Sequence, residues 1–374
     1  MLAHHGIPQN AVSLVVREAE SDRELLAHQA DRPRNPASVI KLLTPIAALE
    51  LLGPTYEWET RYLLDGKLDS SGRLQGNLVL KGGGDPFLTV ERFWSHVLAI
   101  RERGVLHVDG NLIIDNTLFN IPAHDRAAFD GKPTRLYNVG PDAALTNFSA
   151  TRFVIQPLDG RILVFADPPL ANLEIENRLS PAEGKCVNRS SGWTFNLVRQ
   201  DGRVRARFGG NYRPRCGVHS VSRSVLSNNE YTYQLFRHLW ESMGGSLKGG
   251  YRTGSAPGTA RELVAIPSRP LAANVASINK YSNNVMARQL LLTIGSEWRV
   301  ESGGDTRAAG IEAIAEWLRG VGIDTTGLVI DNGSGLSRVG RISADQIAKL
   351  LSVAWHSNWQ PEFLSSLSLA ALDG

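Results

Sequence analysis

No run of about 18 apolar residues, the length a membrane-spanning helix needs, occurs in this 374-residue chain. Residues 1–16 lack the basic segment followed by an apolar one that marks a secretory leader, so the expectation is either a cytosolic protein or one whose leader was removed or never included. Charge of one sign is also missing. Forty Lys and Arg stand against 37 Asp and Glu, a net +3, and the basic residues are scattered. That excludes a nucleic-acid footprint, although a mildly basic surface tolerates an anionic polymer. The nine histidines show no H-E-x-x-H or similar ligand spacing, which argues against a metalloenzyme. Cysteine is scarce. Cys186 and Cys216 lack the C-x-x-C spacing of a zinc or redox site. They are either two buried thiols or a disulfide worth roughly 3 kcal/mol, and a disulfide implies an oxidising compartment. What remains is ordinary for a soluble globular protein, 42% apolar and 21% charged, in a chain long enough for two or three domains.

Against this plain background stands Ser38-Val39-Ile40-Lys41, at the head of residues 38–52, which are predicted to form one long helix. Residues three apart share a helix face, so the Lys41 amine can lie beside the Ser38 hydroxyl. A serine needs a neighbouring base to become a nucleophile, and a lysine shielded from water can lose its proton and serve as one. Ser-x-x-Lys alone is weak, and Ser277-Ile278-Asn279-Lys280 is a second match. The bland alternative is a capping serine with a solvated lysine. Context favours chemistry. Asn35-Pro36-Ala37 forms a turn before Ser38, and the residues after Lys41 are nearly all apolar. A lysine heading a buried helix needs a reason.

Strands are predicted at 11–17 and 24–30, before the Ser38 helix, which stops at Gly53-Pro54. Strands at 59–64 and 74–80 lead to the glycine loop Lys81-Gly82-Gly83-Gly84-Asp85-Pro86 and a helix at 90–103. That loop lacks the closing lysine and Ser/Thr of a phosphate-binding loop. Residues 105–215 are dominated by strands, at 108–114, 151–157, 162–166, 173–177, 192–198 and 204–208, with Gly-, Asp- and Asn-rich turns. A helix follows at 229–243, then a turn at Arg252-Thr253-Gly254 and a linker at 267–270. Helices at 283–293 and 306–321, a strand at 327–332 and a helix at 343–355 close the chain. The order implies a catalytic domain interrupted by a large β-rich insertion.

Lys280-Tyr281-Ser282-Asn283-Asn284 opens the first helix expected after the insertion, with Ser282 as its cap. Ser282 and Asn284, two apart, can leave one loop toward a common cleft. Acyl transfer uses such a pair, a hydroxyl to relay a proton to the leaving amine and an amide to hold the substrate backbone. The alternative is a polar cap without chemistry.

Taken in order, the Ser-x-x-Lys helix, KGGGDP, Tyr137-Asn138-Val139-Gly140-Pro141-Asp142 with Asn147-Phe148, Ser282-x-Asn284, and Asp331-Asn332-Gly333-Ser334-Gly335-Leu336-Ser337-Arg338 resemble the low-molecular-mass class C penicillin-binding proteins. These are D-alanyl-D-alanine carboxypeptidase/endopeptidases of peptidoglycan metabolism, serine peptidases of the DacB type. The resemblance spans the chain. It implies a multi-domain α+β fold, with a penicillin-binding/β-lactamase-like catalytic domain (an antiparallel sheet flanked by helices) interrupted by a β-rich insertion. The catalytic domain would be 1–58 and 263–374, an inserted second domain 59–140 and 217–262, and a nested third domain 141–216. Ser38 would be the nucleophile, Lys41 its base, Ser282 the proton shuttle and Asn284 the group orienting the acyl donor. The Ser38 N–H would be half of an oxyanion hole. Asp130 would bind the free amino end of a diaminopimelate side chain, where Asp130-Gly131 otherwise reads as a turn. The resemblance implies no cofactor, peptidoglycan stem peptides as substrate, β-lactams as covalent inhibitors, and a periplasmic or extracytoplasmic location.

One motif of that family is missing. Lys-Thr-Gly occurs nowhere in the 374 residues, and Arg252-Thr253-Gly254 precedes the Ser-x-Asn loop, the wrong order for a substitute. The chain stops at Gly374, inside a segment that relatives continue into that strand. It is therefore expected to be a fragment with its last strands missing, inactive or nearly so. Two other readings compete. A serine β-lactamase shares the first two motifs but needs a positioned acid for deacylation and has a shorter gap between motifs. A non-catalytic module would bind wall polymer through the β-rich middle and leave Ser38 vestigial.

Overall fold

The computed structural model describes residues 3–200, 202–298 and 304–373. Gly374 lies outside them. The chain divides into two compact units, residues 1–58, 118–130 and 267–374 in one, and 59–117 and 131–266 in the other. The stretch 118–130, with Asp130 at its end, belongs to the unit that holds Ser38.

The first unit is built around the helix Leu43–Leu52. Its sequence is apolar on every side, and from Leu43 to Leu49 every residue is buried, as expected of a helix inside a core. The helices Leu271–Tyr281, Asn284–Glu297, Thr306–Gly320 and Ala344–His356 pack around it. The single helix expected over 38–52 is divided. Ala37–Lys41 winds as a 3-10 helix, and α-helix begins only at Leu43. Pro45 supplies the reason. It has no N–H to return to the Lys41 carbonyl, so the turn before it cannot close with α-helical bonds and tightens.

Other boundaries moved for similarly local reasons. The strand expected at 327–332 is absent, and only an isolated bridge joins Val329 to Arg341. Gly333 and Gly335, with φ of +71° and +77°, turn that stretch instead. The helix Leu271–Tyr281 is not among the expected elements, although Leu271, Val275 and Ile278 carry its buried stripe at helical spacing. The strands Leu14–Arg17 and Glu24–His28 form a two-stranded antiparallel sheet, shorter than expected, with Leu14 opposite His28. Leu25 and Leu26 on it are exposed. Arg17 ties the hairpin to the Ala344–His356 helix through Asp345, 2.8 Å away.

The second unit holds a seven-stranded sheet and two three-stranded sheets. Residues 141–216 lie within it together with 59–117. The helices Val90–Glu102 and Asn228–Ser242 share its core, where Phe93 meets Phe236 and Phe236 stacks on Trp240. The strand expected at 108–114 breaks at Asp109-Gly110-Asn111 into His107–Val108 and Leu112–Asp115. Arg252-Thr253 is not a turn. Tyr251–Thr253 is a strand running parallel to Leu112, Ile113 and Ile114. KGGGDP is a tight passage from the strand Arg73–Lys81 toward the helix Val90–Glu102, and close backbone approach accounts for its glycines. A Cβ on Gly82 would sit 2.2 Å from the Ala143 carbonyl oxygen, and one on Gly83 2.1 Å from that of Glu59.

Cys186 and Cys216 are joined by a disulfide, with a sequence separation of 30. It ties the exposed loop after the strand Leu173–Pro181 to the end of Arg203–Tyr212. On chain-entropy grounds, replacing both cysteines by serine should cost about 3 kcal/mol. In a unit of this size that lowers the thermal midpoint by roughly 6–12 °C. Calorimetry of the double variant checks this, and an unchanged midpoint would mean that the loop is held by something else.

Candidate active site

Lys41 is only 3% exposed, yet its amine is fully engaged. It donates to Ser38 Oγ at 3.2 Å, to Asn284 Oδ1 at 2.6 Å and to the Ser334 carbonyl at 2.5 Å. Three segments far apart in sequence therefore meet at one nitrogen. The 3-10 turn supplies Ser38 and Lys41. Residues three apart eclipse on a 3-10 helix, so the divided helix aligns this pair more closely than an α-helix would. The helix Asn284–Glu297 presents Asn284 at its first position, with Asn283 as N-cap accepting from the N–H groups of Val285 and Met286.

The third segment is the turn at 331–338. Asn332 Oδ1 accepts from both the N–H and the hydroxyl of Ser334, at 3.0 and 2.8 Å. Asn332 Nδ2 donates to the Leu336 carbonyl. Thr44 donates to the Gly333 carbonyl at 2.9 Å, fixing the turn to the buried helix. On the other side Asn35 Nδ2 donates to the Ser337 carbonyl, and Asn35 Oδ1 accepts from the Ala37 N–H. The turn and the Ser38 segment are thus laced together on both flanks. Gly335 passes so close to Ala37 that a Cβ there would lie 1.8 Å from the Ala37 carbonyl oxygen.

Burial, and next the charge of Arg288, push the Lys41 pKa down to about 8. Arg288 lies one turn beyond Asn284, is itself 5% exposed, and is pushed down to about 10 by burial, with Asp331 opposing. The consequence is specific. A neutral amine has two N–H donors and one lone pair. The Asn284 and Ser334 oxygens cannot donate, so they hold the two N–H groups. The lone pair is then left to accept from the Ser38 hydroxyl, and the arrangement can take the proton of that serine.

Ser282 sits elsewhere in the motif than expected. It is not the N-cap of a helix but the exposed C-cap of Leu271–Tyr281, in a left-handed conformation with φ of +50°. Among the described residues its hydroxyl has no hydrogen bond to Ser38 or Lys41. Ala37, directly before the candidate nucleophile, is likewise left-handed, with φ of +46°. Such conformations cost of order 1–3 kcal/mol in non-glycine residues and concentrate at functional sites. Asp130 is half-buried, and its neighbour Phe129 lies under the Arg338 guanidinium at 4.4 Å. The segment carrying them is anchored where Asn120 and Thr306 exchange backbone and side-chain bonds of 2.9 Å. Ser277 and Lys280 of the second Ser-x-x-Lys match do not form such a site, since Lys280 bonds to the Leu367 carbonyl and Asp373.

Sequence reasoning missed two participants. The Ser334 carbonyl carries no side-chain signal. Arg288 could have been found, because it stands four residues after Asn284 on one helix face.

The whole chain, residues 1–374, matches the family described as the D-Ala-D-Ala carboxypeptidase 3 (S13) family. Among characterised proteins it is similar to a D-alanyl-D-alanine carboxypeptidase of Actinomadura sp. (strain R39), 30% identical over 372 residues, covering 97% of this chain and 68% of that one. It is also similar to the D-alanyl-D-alanine carboxypeptidase DacB of Haemophilus influenzae, 23% identical over 348 residues, covering 90% and 70%. The crystal structure of penicillin-binding protein 4 from Haemophilus influenzae superposes with a TM-score of 0.76 at 20% identity, covering 96% of this chain and 78% of that one. A second structure of that protein, complexed with a β-lactam, gives 0.73 at 19% identity, with 97% and 78% covered.

Proposed function

The chain belongs to the D-Ala-D-Ala carboxypeptidase 3 (S13) family, and from that premise we propose that Ser38 forms an acyl-enzyme with peptidoglycan stem peptides, with Lys41 as its base. The family makes the protein a serine-type hydrolase of the D-Ala-D-Ala carboxypeptidase class, with a penicillin-binding fold interrupted by inserted domains.

Ser38 Oγ attacks the carbonyl carbon of the penultimate D-alanine while its proton passes to Lys41 Nζ. The bond to the terminal D-alanine nitrogen then breaks, and that nitrogen takes up the proton from Lys41 Nζ through Ser282, whose exposed hydroxyl bonds neither Ser38 nor Lys41 here and must turn toward the substrate to relay it. Water hydrolyses the resulting ester and regenerates Ser38. Asn284 orients the acyl donor while its oxygen keeps the Lys41 amine aligned, and the Ser38 N–H stabilises the developing oxyanion. Asp130 receives the ammonium of the stem-peptide side chain. The observation that carries this reading is the Lys41 nitrogen, whose two other partners are both pure acceptors. A β-lactam carbonyl meets the same nucleophile, and the β-lactam complex of the Haemophilus protein supports extending that to this chain. The disulfide supports an oxidising, extracytoplasmic location. Among the described residues no helix is long and apolar enough to cross a membrane.

The Lys-Thr-Gly motif supplies a cation and a second oxyanion donor in this family, and the 374 residues do not contain it. Losing one oxyanion donor costs about 10²–10³ in rate, so the 374-residue chain by itself should acylate slowly. Incubation with a fluorescent penicillin, then denaturing electrophoresis and peptide mapping, tests both statements. Slow, stoichiometric labelling on Ser38, absent from Ser38→Ala, is expected. Label on another residue would overturn the assignment of the nucleophile. Fast labelling on Ser38 would overturn only the expected impairment.

A further inference from the structure

A cavity of about 570 Å³ opens within the unit formed by residues 59–117 and 131–266, and the acyl-transfer chemistry uses none of it. Its volume falls in the ~300–1,000 Å³ range of small-molecule sites. Three walls form it. Trp193 and Phe195 line it from the strand Trp193–Gln200. His219, Val221 and Arg223 line it from His219–Arg223. In each strand these residues alternate, so they share one face. The segment 131–135 brings Lys132 and Arg135.

The chemistry of this lining is one-sided, with no Asp or Glu among the lining residues. Arg223 lies over the Phe195 ring at 5.5 Å and donates one of its N–H groups to the Ser222 carbonyl at 2.9 Å. Burial first, and the Arg135 guanidinium second, hold Arg223 below the usual arginine range. Arg135 and Arg223 thus line the same cavity with no carboxylate among the lining residues, and an anion placed there would relieve their repulsion. Trp193 is oriented by its own N–H, which donates to the Arg189 carbonyl at 2.9 Å, and its ring meets His219 edge-on at 6.2 Å. Half-buried aromatic rings next to unopposed guanidinium groups fit a ligand with an apolar face and an anionic substituent. A sugar ring bearing a carboxylate or phosphate has both. The disulfide holds the loop that brings Ser190 to the same cavity.

We propose that this cavity is a second binding site, which takes an anionic sugar unit of a cell-wall glycan. The choice of polymer rests on the family assignment, but binding is measured without acyl transfer. A chain that binds yet fails to label at Ser38 would refute the proposed function alone.

Calorimetric titration of the full chain against two probes tests the site. One is peptidoglycan glycan strands freed of stem peptides, which bear carboxylates. The other is a glycerol-phosphate polymer. Binding of the glycan strands, weakening as salt is raised, is expected, and binding of the glycerol-phosphate polymer alone, which has no sugar ring to lie on Trp193, would overturn the sugar assignment. In Arg135→Gln/Arg223→Gln the affinity should fall by about tenfold or more, and in Trp193→Ala likewise, while the rate of penicillin labelling stays that of the parent. Failure of both probes to bind, or equal affinity in the arginine double variant, would overturn the proposal. Should the double variant not fold, Arg135→Gln alone, at an exposed position, gives the same two-way readout.

Discussion

Lys41→Gln is expected to slow acylation of Ser38 by about 10²–10⁴-fold, the usual contribution of a positioned general base. Glutamine is one bond shorter but keeps hydrogen-bonding capacity, and it offers no lone pair of comparable basicity to the serine. The parent protein should show a matching pH profile. Only the neutral amine can accept the serine proton, so the labelling rate should rise with pH, pass its midpoint near the lysine pKa of about 8, and level off above it. The direction follows from burial, which disfavours the charged amine, with Arg288 adding to the effect. Stability moves the same way. The folded pKa lies below the unfolded one, so the unfolded chain binds more protons between pH 8 and 10.5, and stability rises across that window. Stopped-time labelling from pH 6 to 10 reads the profile. A flat curve, or a midpoint at the ordinary lysine value of 10.5, would remove Lys41 from the role of base.

Gly335→Ala carries the second large effect, and it acts through structure. Gly335 has φ of +77°, which alone costs alanine about 1–3 kcal/mol. The added Cβ would also sit 1.8 Å from the Ala37 carbonyl oxygen, a position that backbone movement alone can relieve. The backbone that must yield is the turn leading into Ser38, or the turn whose Ser334 carbonyl holds Lys41. Denaturant unfolding should therefore show a loss of at least ~2 kcal/mol, and penicillin labelling should fall even in protein that remains folded. Gly340→Ala is the control. It lies in the same stretch, its nearest neighbour is Ser337 Oγ at 3.6 Å, and it should be nearly neutral. Equal stability of the two variants would show that the turn tolerates displacement and does not set the nucleophile's position.

The site was legible wherever its chemistry is a local spacing. Ser38 and Lys41 are three apart, and any helical turn puts them on one face. Asn284 was legible from its two-residue spacing to Ser282. The same reasoning misplaced Ser282 itself. Its left-handed conformation belongs to the end of a helix outside the expected elements, although Leu271, Val275 and Ile278 mark that helix. The stretch 327–332 shows the opposite failure. Its consecutive apolar residues Leu328, Val329 and Ile330 fit a strand, yet it finds only one bridging partner and is turned by glycines whose φ values no spacing reveals.

Sequence alone determined that Ser38 and Lys41 lie side by side, that the lysine heads a buried helix and that a β-rich stretch interrupts the first unit, because each follows from periodicity or from short-range geometry. The tertiary structure decided which acceptors surround the amine. One of them is a main-chain carbonyl at Ser334, separated from Lys41 by 293 positions. Every residue has such a carbonyl, so no side chain announces it. Whether it satisfies a buried proton depends on where the folded chain brings it, and that is settled only when the core around Leu43–Leu52 has closed.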